Sequence, residues 1–479
     1  MILCKNQSDC NYKNLPLSKH FLILLCYKIK TNLKIDILII GSGPAGSSVA
    51  HRCVEAGKSV LIVDKLFGGT CALRGCTPKK AMEAVTSTFW QAKKMEKAGF
   101  PATKQFVDWH QLVANKSHYT ALVPTKTKSN FENANIKTLT GTAKFVDQHT
   151  IKVGNKTITA KQIVIATGAK PRPLNIEGEQ HLVTNDEFFN LNELPPNIVI
   201  VGGGYIAFEL SHIIAACGTN VTIIGDEEMP LTAFDADLVQ DLVHATLEKG
   251  IDIKLGYSVN KVEKIDKGFE VTCKRNDDMA FTYSADLIIH AAGRTPNVEN
   301  LAVEQIGLKL NEQHGIEVNE FMQTKKYDHI YAIGDVTGQL PFTETASYEA
   351  KIVAHNILNK KRKSVDYKGV PFGVFTYPKL TKVGKSEEEL NTQGIKFEVK
   401  KENHKGSFIE RVNMNNFARY KTLVDQKTGK ILGASILASH GDDMINLFSL
   451  AIQQGMTVQQ FKDLLLLYPT AAHDVKYMV

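Results

Sequence analysis

The sequence predicts an α/β protein with two strand–glycine-turn–helix units set far apart in the chain, followed by a smaller α+β segment at the C-terminus. Three observations predict it. The apolar run Ile35 to Ile40 leads straight into Gly41-Ser42-Gly43-Pro44-Ala45-Gly46. The same pattern returns where Asn197 to Val201 leads into Gly202-Gly203-Gly204-Tyr205-Ile206-Ala207. From about Ser364 no such unit occurs, and the pattern changes to shorter strands, then helices over Met444 to Gln454 and Val458 to Leu467. A chain of 479 residues is too long for one core and predicts about three domains.

In the first unit a helix-like stretch, Ser47 to Ala56, follows the glycines, and a second strand, Ser59 to Val63, ends in Asp64. Glycines at such a turn let a pyrophosphate approach the helix N-terminus, while the acid can hold a ribose diol. A glycine pattern alone is weak; strand, helix and terminal acid in order make this a dinucleotide site. The second unit runs on through a helix to Ala216 and a strand from Asn220 to Ile224, with Ala207 as a small residue in the third glycine place. Its second strand ends in Gly225 followed by Asp226-Glu227-Glu228, without the Arg or Lys that would hold a 2′-phosphate. That acidic run favours NADH over NADPH. Two dinucleotide units in one chain imply electron transfer between two nucleotides.

Between the units lies Gly68-Gly69-Thr70-Cys71-Ala72-Leu73-Arg74-Gly75-Cys76-Thr77-Pro78-Lys79-Lys80, and Pro78 to Ala92 reads as a helix. A thiol near a helix N-terminus is favoured as thiolate, the reactive form. Two thiols about a helical turn apart can close a small reducible ring. Of the eight cysteines, Cys4, Cys10, Cys26, Cys53, Cys217 and Cys273 are scattered, so no second pair completes a zinc site, and no metal is expected. A static disulfide is improbable in a large chain with no secretory signal. A working redox dithiol is the preferred reading.

Composition excludes other classes. Hydrophobic residues make up 43% and charged residues 22%, and the net charge of +7 lacks the concentrated basic stripe that nucleic acid requires. No apolar run approaches the roughly 20 residues that span a bilayer. Residues 1–33 do not fit the rest: Phe21 to Tyr27 is apolar but short, and the stretch reads as a disordered extension or an upstream start rather than a signal anchor. The expected compartment is the cytoplasm.

Together these motifs resemble the flavin-dependent pyridine nucleotide–disulfide oxidoreductases, the class I family of glutathione reductase, dihydrolipoamide dehydrogenase and mercuric reductase, from about Ile35 to the C-terminus. The resemblance assigns FAD to the first unit, with contacts at Gly41, Gly43, Gly46, Asp64, Lys65, Gly69, Thr70, Lys79, Ala143, Thr167, Gly168, Asp335 and Thr343. Ile163 to Gly168 and Leu287 to Gly293 are similar to the family's crossovers, and Ile330 to Asp335 to its second flavin motif. The nicotinamide cofactor goes to the second unit, at Gly202, Gly204, Tyr205, Ile206, Glu209 and Gly293. By the same resemblance Cys76 stays against the flavin as a charge-transfer thiolate and Cys71 attacks a substrate disulfide. Lys79 lies at the flavin edge paired with Glu209, and Tyr205 covers the nicotinamide pocket. The implied domains are 34–190 with 285–350 for FAD, 191–284 for NAD(P), and 351–479 for assembly of a homodimer. The implied partners are a disulfide or other small-molecule acceptor, with neither nucleic acid nor membrane.

The sequence also departs from the family. In place of His-Pro-Thr followed by Glu, the tail reads Tyr468-Pro469-Thr470-Ala471-Ala472-His473, so Tyr468 and His473 are the candidate acid–base pair. A tyrosine is a poor base at neutral pH, though its hydroxyl can donate a proton. His51 stands where glutathione reductases carry an Arg, and no cysteine follows Cys273, as mercuric reductases and large thioredoxin reductases would require. Glutathione disulfide and lipoamide are therefore expected to be poor substrates.

Overall fold

The computed structural model describes residues 32–101, 105–275, 279–404 and 407–479. The calls on residues 1–31, including Cys4, Cys10 and Cys26, lie outside the described residues. The strand Asn32–Ile40 opens inside the stretch expected to be an extension, pairing Leu33 with Ile158. It is central to a seven-stranded sheet, parallel to Val60–Asp64 on one side and to Lys156–Ile165 on the other. At Leu38 to Ile40, Leu61 to Val63 and Ile163 to Ile165 these strands are buried on both faces and are continuous Ile, Leu and Val, as parallel sheets favour. The strand Ile330–Ala332 joins the same sheet beside Ile163, Val164 and Ile165, so the sheet is completed by chain from far downstream. The helix Thr343–Leu358 covers it through Ala346, Ala350, Val353 and Ala354, running unbroken through the boundary expected at residue 350.

The second unit forms its own parallel sheet of four strands, Asp252–Leu255, Asn220–Gly225, Asn197–Val201 and Leu287–His290 in spatial order. The last of these corrects the boundary expected at 284/285. Leu287–His290 pairs with Ile198 to Val201, so the chain leaves this unit only after His290. The helix Tyr205–Ala216 packs on this sheet through Phe208, Leu210, Ile213 and Ile214. An antiparallel three-stranded wing, residues 257–285, flanks it.

The C-terminal segment is a five-stranded antiparallel sheet, residues 372–438, covered by the helix Gly441–Gln454 through Met444, Ile445, Phe448 and Ile452. The expected helix over Val458 to Leu467 stops at Lys462. Beyond it the leucines alternate: Leu464 and Leu466 pack on the core of this segment, while Leu465 is 100% exposed and Leu467 77%. Pro469 also disfavours a helical Tyr468. Alternate burial is the period of extended chain, so the stretch presents no continuous helical face to pack.

Candidate active site

The first glycine turn is built by sterics. Gly41 has φ +108, and a Cβ there would lie 2.1 Å from the Ala166 carbonyl oxygen at the end of the neighbouring strand. A Cβ on Gly46 would lie 2.0 Å from the Gly41 oxygen, so the third glycine lets the helix Pro44–Glu55 close on the turn. Gly43 is different, because its Cβ would meet only the Gly69 Cα, at 3.8 Å. It caps a helix whose first turn holds no acid, and so faces the cavity with open backbone and a free positive dipole end. The cavity is large, about 2110 Å³. Its walls include Gly41, Gly43, Asp64, Lys65, Gly69, Thr70, Ala143, Thr167, Gly168, Asp335 and Thr343. These residues fit a dinucleotide. Asp64 accepts from the Ser42 amide (2.7 Å) and hydroxyl (2.6 Å) on one oxygen and from the Leu66 amide (3.2 Å) on the other. Asp335 lines the far wall, where burial pushes its carboxyl pKa up against the pull of Arg294.

Cys71 and Cys76 lie on separate helices. Cys71 lies in a short helix, Gly69–Arg74, and Cys76 opens the long helix Cys76–Met95, two residues earlier than expected. Gly75 separates them at φ −135 and ψ −110. Both sulfurs are thiols here and both line the cavity. Cys76 Sγ lies 3.3 Å from Thr343 Oγ1, in the first turn of the helix Thr343–Leu358. The thiol therefore sits at two helix N-termini, and Lys79 stands one turn along its own helix. A hydrogen bond from Cys71 lowers the Cys76 pKa to about 6, aided by Thr343 and Lys79 and opposed by burial and Glu209. Cys71 moves the opposite way, since it is the group that keeps the shared proton and gives the bond. In the reduced pair these shifts favour the thiolate at Cys76 and the thiol at Cys71.

Lys79 and Glu209 meet as the resemblance implied. Lys79 Nζ lies 3.0 Å from Glu209 Oε1, and both side chains are nearly buried. Phe375, a residue no sequence motif singled out, completes the arrangement. Its amide donates to Glu209 Oε1 at 2.8 Å, and its ring lies 3.9 Å beneath the Lys79 ammonium. Only the fold brings it there, 166 residues along the chain from Glu209. Tyr205 and Ile206 line the same cavity from the second unit.

In that unit Gly202 repeats Gly41, with φ +123 and a Cβ position 2.4 Å from the Ala291 oxygen. Gly204 caps the helix Tyr205–Ala216, and its Cβ would meet nothing within 4 Å. Gly293 has φ +101 at the crossover back toward the first sheet. Gly225 takes the place of the ribose acid for a packing reason, since a Cβ there would lie 3.2 Å from the Gly203 amide nitrogen. Asp226, Glu227 and Glu228 follow, exposed.

Tyr468 and His473 lie outside this protomer's cavity. Tyr468 is 67% exposed, and its ring meets the His473 imidazole edge-on at 5.0 Å between centroids. His51 also stands apart, packed on Phe131 at 5.6 Å.

Residues 35–350 match the family profile of the pyridine nucleotide-disulphide oxidoreductases, and residues 370–479 match that family's dimerisation domain. A mercuric reductase from Staphylococcus aureus is 32% identical over 450 residues, 92% of this chain and 81% of the relative. A dihydrolipoyl dehydrogenase from Staphylococcus aureus is 30% identical, over 91% of this chain and 94% of the relative. Among solved structures, the HOCl-induced flavoprotein disulfide reductase RclA from Escherichia coli superposes with a TM-score of 0.82 at 28% identity, covering 92% of this chain and 99% of that one. A Cu(II) complex of the same reductase matches with a TM-score of 0.83 at 27% identity, covering 93% and 98%. The glycine turns, the paired thiols and these matches agree: the chain is an FAD- and NAD(P)-using flavoprotein and belongs to the pyridine nucleotide–disulphide oxidoreductases.

Proposed function

We propose that this protein takes a hydride from NADH, with NADPH as the alternative donor, and passes two electrons through FAD to the Cys71–Cys76 pair and on to a small acceptor. The observation that carries this is the Cys76 sulfur, poised as thiolate 3.3 Å from Thr343 on the cavity wall, with the Lys79–Glu209 pair beside it. Bound FAD supplies the hydride-accepting and electron-relaying chemistry. The chain's own residues do the rest. Lys79 holds positive charge at the cavity, and Glu209 offsets the cost of burying it. Cys76, beside Thr343 and Lys79, holds the thiolate, and Cys71 is the sulfur that exchanges with substrate through a mixed disulfide.

The working unit is a homodimer in which Tyr468 and His473 face the partner's dithiol. Leu465, Leu467, Tyr468 and Tyr477 form the exposed apolar tail that such a contact covers. In this reading the segments 34–190 and 291–358 hold FAD, 191–290 the nicotinamide, and 370–479 the interface. A reducing cytoplasm suits a dithiol that cycles. Among the described residues no helix is long and apolar enough to cross a membrane.

A second reading, reduction of a soft metal ion, is favoured by one observation. Tyr468 stands where a disulfide reductase needs a strong acid for the leaving thiolate, whereas a metal ion held by two thiols releases no thiolate. Relatives named for mercuric ion and a neighbour complexed with Cu(II) point the same way. The absence of any cysteine after Cys273 weighs against mercuric ion.

The test is turnover of lipoamide, glutathione disulfide, coenzyme A disulfide, quinones, Hg(II) and Cu(II) with both nicotinamides. Disulfide turnover lost in Cys71→Ser supports the first reading. Full activity in Cys71→Ser/Cys76→Ser toward every accepted substrate overturns both readings and leaves a diaphorase.

A further inference from the structure

Where the C-terminal tail meets the end of the strand Phe397–Asn403, three polar atoms are buried and without hydrogen-bond partners: His473 Nδ1 and Asp474 Oδ2 in the tail and His404 Nε2 beside the strand. They are neighbours. His473 Nδ1 lies 3.9 Å from Asp474 Oδ1, and His404 Nε2 lies 4.0 Å from Asp474 Oδ2. A buried polar atom left unpaired costs about 1–3 kcal/mol, and native proteins rarely keep several together. Rotations that shorten each gap by about 1 Å turn the orphans into two hydrogen bonds on one carboxylate. On the solvent side the row continues through the His473 imidazole to the exposed Tyr468 ring.

We propose that Asp474 is the positioning carboxylate of a Tyr468–His473–Asp474 acid–base row, with His404 anchoring its far oxygen. The proposal rests on the reading that the tail serves the partner's dithiol in disulfide reduction. In the family pattern the carboxylate follows five residues behind the acid; here it has moved one residue further along, to Asp474, and the histidine occupies the vacated place. With Nδ1–H held by Asp474, His473 offers Nε2 as a base. A base is needed, because in the reduced pair Cys71 holds the proton.

The step balances. His473 takes the proton of the partner's Cys71 as that sulfur forms a bond to one substrate sulfur and the substrate S–S bond breaks. The departing thiolate takes a proton from Tyr468, which His473 restores. Cys76 then attacks Cys71, closing the ring and releasing the second thiolate, so two electrons and one proton leave the protein.

Other groups face this row. Glu402, Glu410 and Tyr420 surround His404, whose pKa burial lowers. Tyr477 packs on His473, and Lys400 binds the Tyr477 and Val479 carbonyl oxygens. None of them lies between His473 and Asp474.

The test is Asp474→Asn in the full-length holoenzyme, with two readouts: kcat/KM for the best disulfide against pH, and the pH dependence of Cys71 alkylation by iodoacetamide in the reduced dimer. We expect kcat/KM to fall about 10²-fold and the alkylation midpoint to move to higher pH, with flavin reduction by NADH unchanged. If Asp474→Asn disturbs folding, His404→Gln carries the same test, with a several-fold loss and a midpoint moved the same way. Unchanged profiles in these variants, alongside a large loss in His473→Gln, would overturn the role of Asp474 alone. Unchanged turnover in His473→Gln and Tyr468→Phe as well would overturn the underlying reading of the tail.

Discussion

The two nucleotide units solve one backbone problem in the same way and two ligand problems differently. Gly41 and Gly202 both take left-handed backbone because a Cβ would strike the carbonyl ending an adjacent strand, Ala166 in one unit and Ala291 in the other. At the third position the units part. Gly46 has no room for a methyl, whereas Ala207 is accommodated, fully buried. At the end of the second strand Asp64 is tied into its own turn by Ser42, and the matching Gly225 leaves the ribose to whatever follows. Glycine is repeated where a strand-end carbonyl bars a Cβ, and elsewhere each unit follows its own packing as well as its ligand.

Cutting the bridge between the units should have the largest effect. Glu209 rises from the helix of the second unit to meet Lys79 on the dithiol helix. Glu209→Ala leaves a nearly buried ammonium without its partner and is expected to cost about 3–5 kcal/mol. Denaturant unfolding of the holoenzyme measures it, and a loss below 1 kcal/mol would mean the units are held together by other contacts.

Next is the third glycine. Gly46→Ala should cost about 1–3 kcal/mol of packing and most of the bound flavin, read as absorbance at 450 nm per protomer. The opposite change in the other unit, Ala207→Gly, should cost only about 1 kcal/mol, the penalty of glycine within a helix. Equal effects would contradict the difference in packing.

The acids after Gly225 test the ligand side. Asp226→Ser with Glu227→Arg should raise kcat/KM for NADPH relative to NADH about tenfold, or ~1.4 kcal/mol. No change would place the ribose elsewhere.

The smallest effect is on the thiolate between the units. In the reduced protein Cys76 is charged above its pKa of about 6 and becomes neutral as pH falls through that value. Lys79 lowers this pKa and Glu209 raises it. The long-wavelength absorbance of the thiolate should therefore vanish at higher pH in Lys79→Met and at lower pH in Glu209→Gln. Midpoints that move together would show the pair acting as one neutral unit.

What the sequence made legible follows the same division. The glycine turns, the strand-end Asp64 and the two cysteines were readable because steric or thiol chemistry leaves few substitutes. The contact of Phe375 with Lys79 and Glu209 was not, since any residue supplies an amide and many supply an apolar face. Leu287–His290 looked like a return to the flavin half because strands of both sheets carry the same apolar code; only pairing with Ile198 to Val201 assigns it. The early end of the helix at Lys462 was hidden because Leu464 to Leu467 has a helical composition, and only the fold sets its alternation, Leu464 and Leu466 inward and Leu465 and Leu467 outward. Asp474 and His404 matched no motif, and only their shared lack of partners reveals them.

The late arrival of Ile330–Ala332 in the first sheet has a consequence during synthesis. Its partners Ile163, Val164 and Ile165 are made 167 residues earlier, so one edge of a fully buried apolar strand end waits for chain not yet translated. At about 5–20 residues per second that wait is roughly 10–30 s, far longer than a hairpin needs to form. In that interval the second unit can complete its own four strands, while the first offers an open ladder to any extended chain nearby. A nascent chain halted before residue 330 should bind holdase chaperones at Ile163 to Ile165, and one released after Leu358 should not.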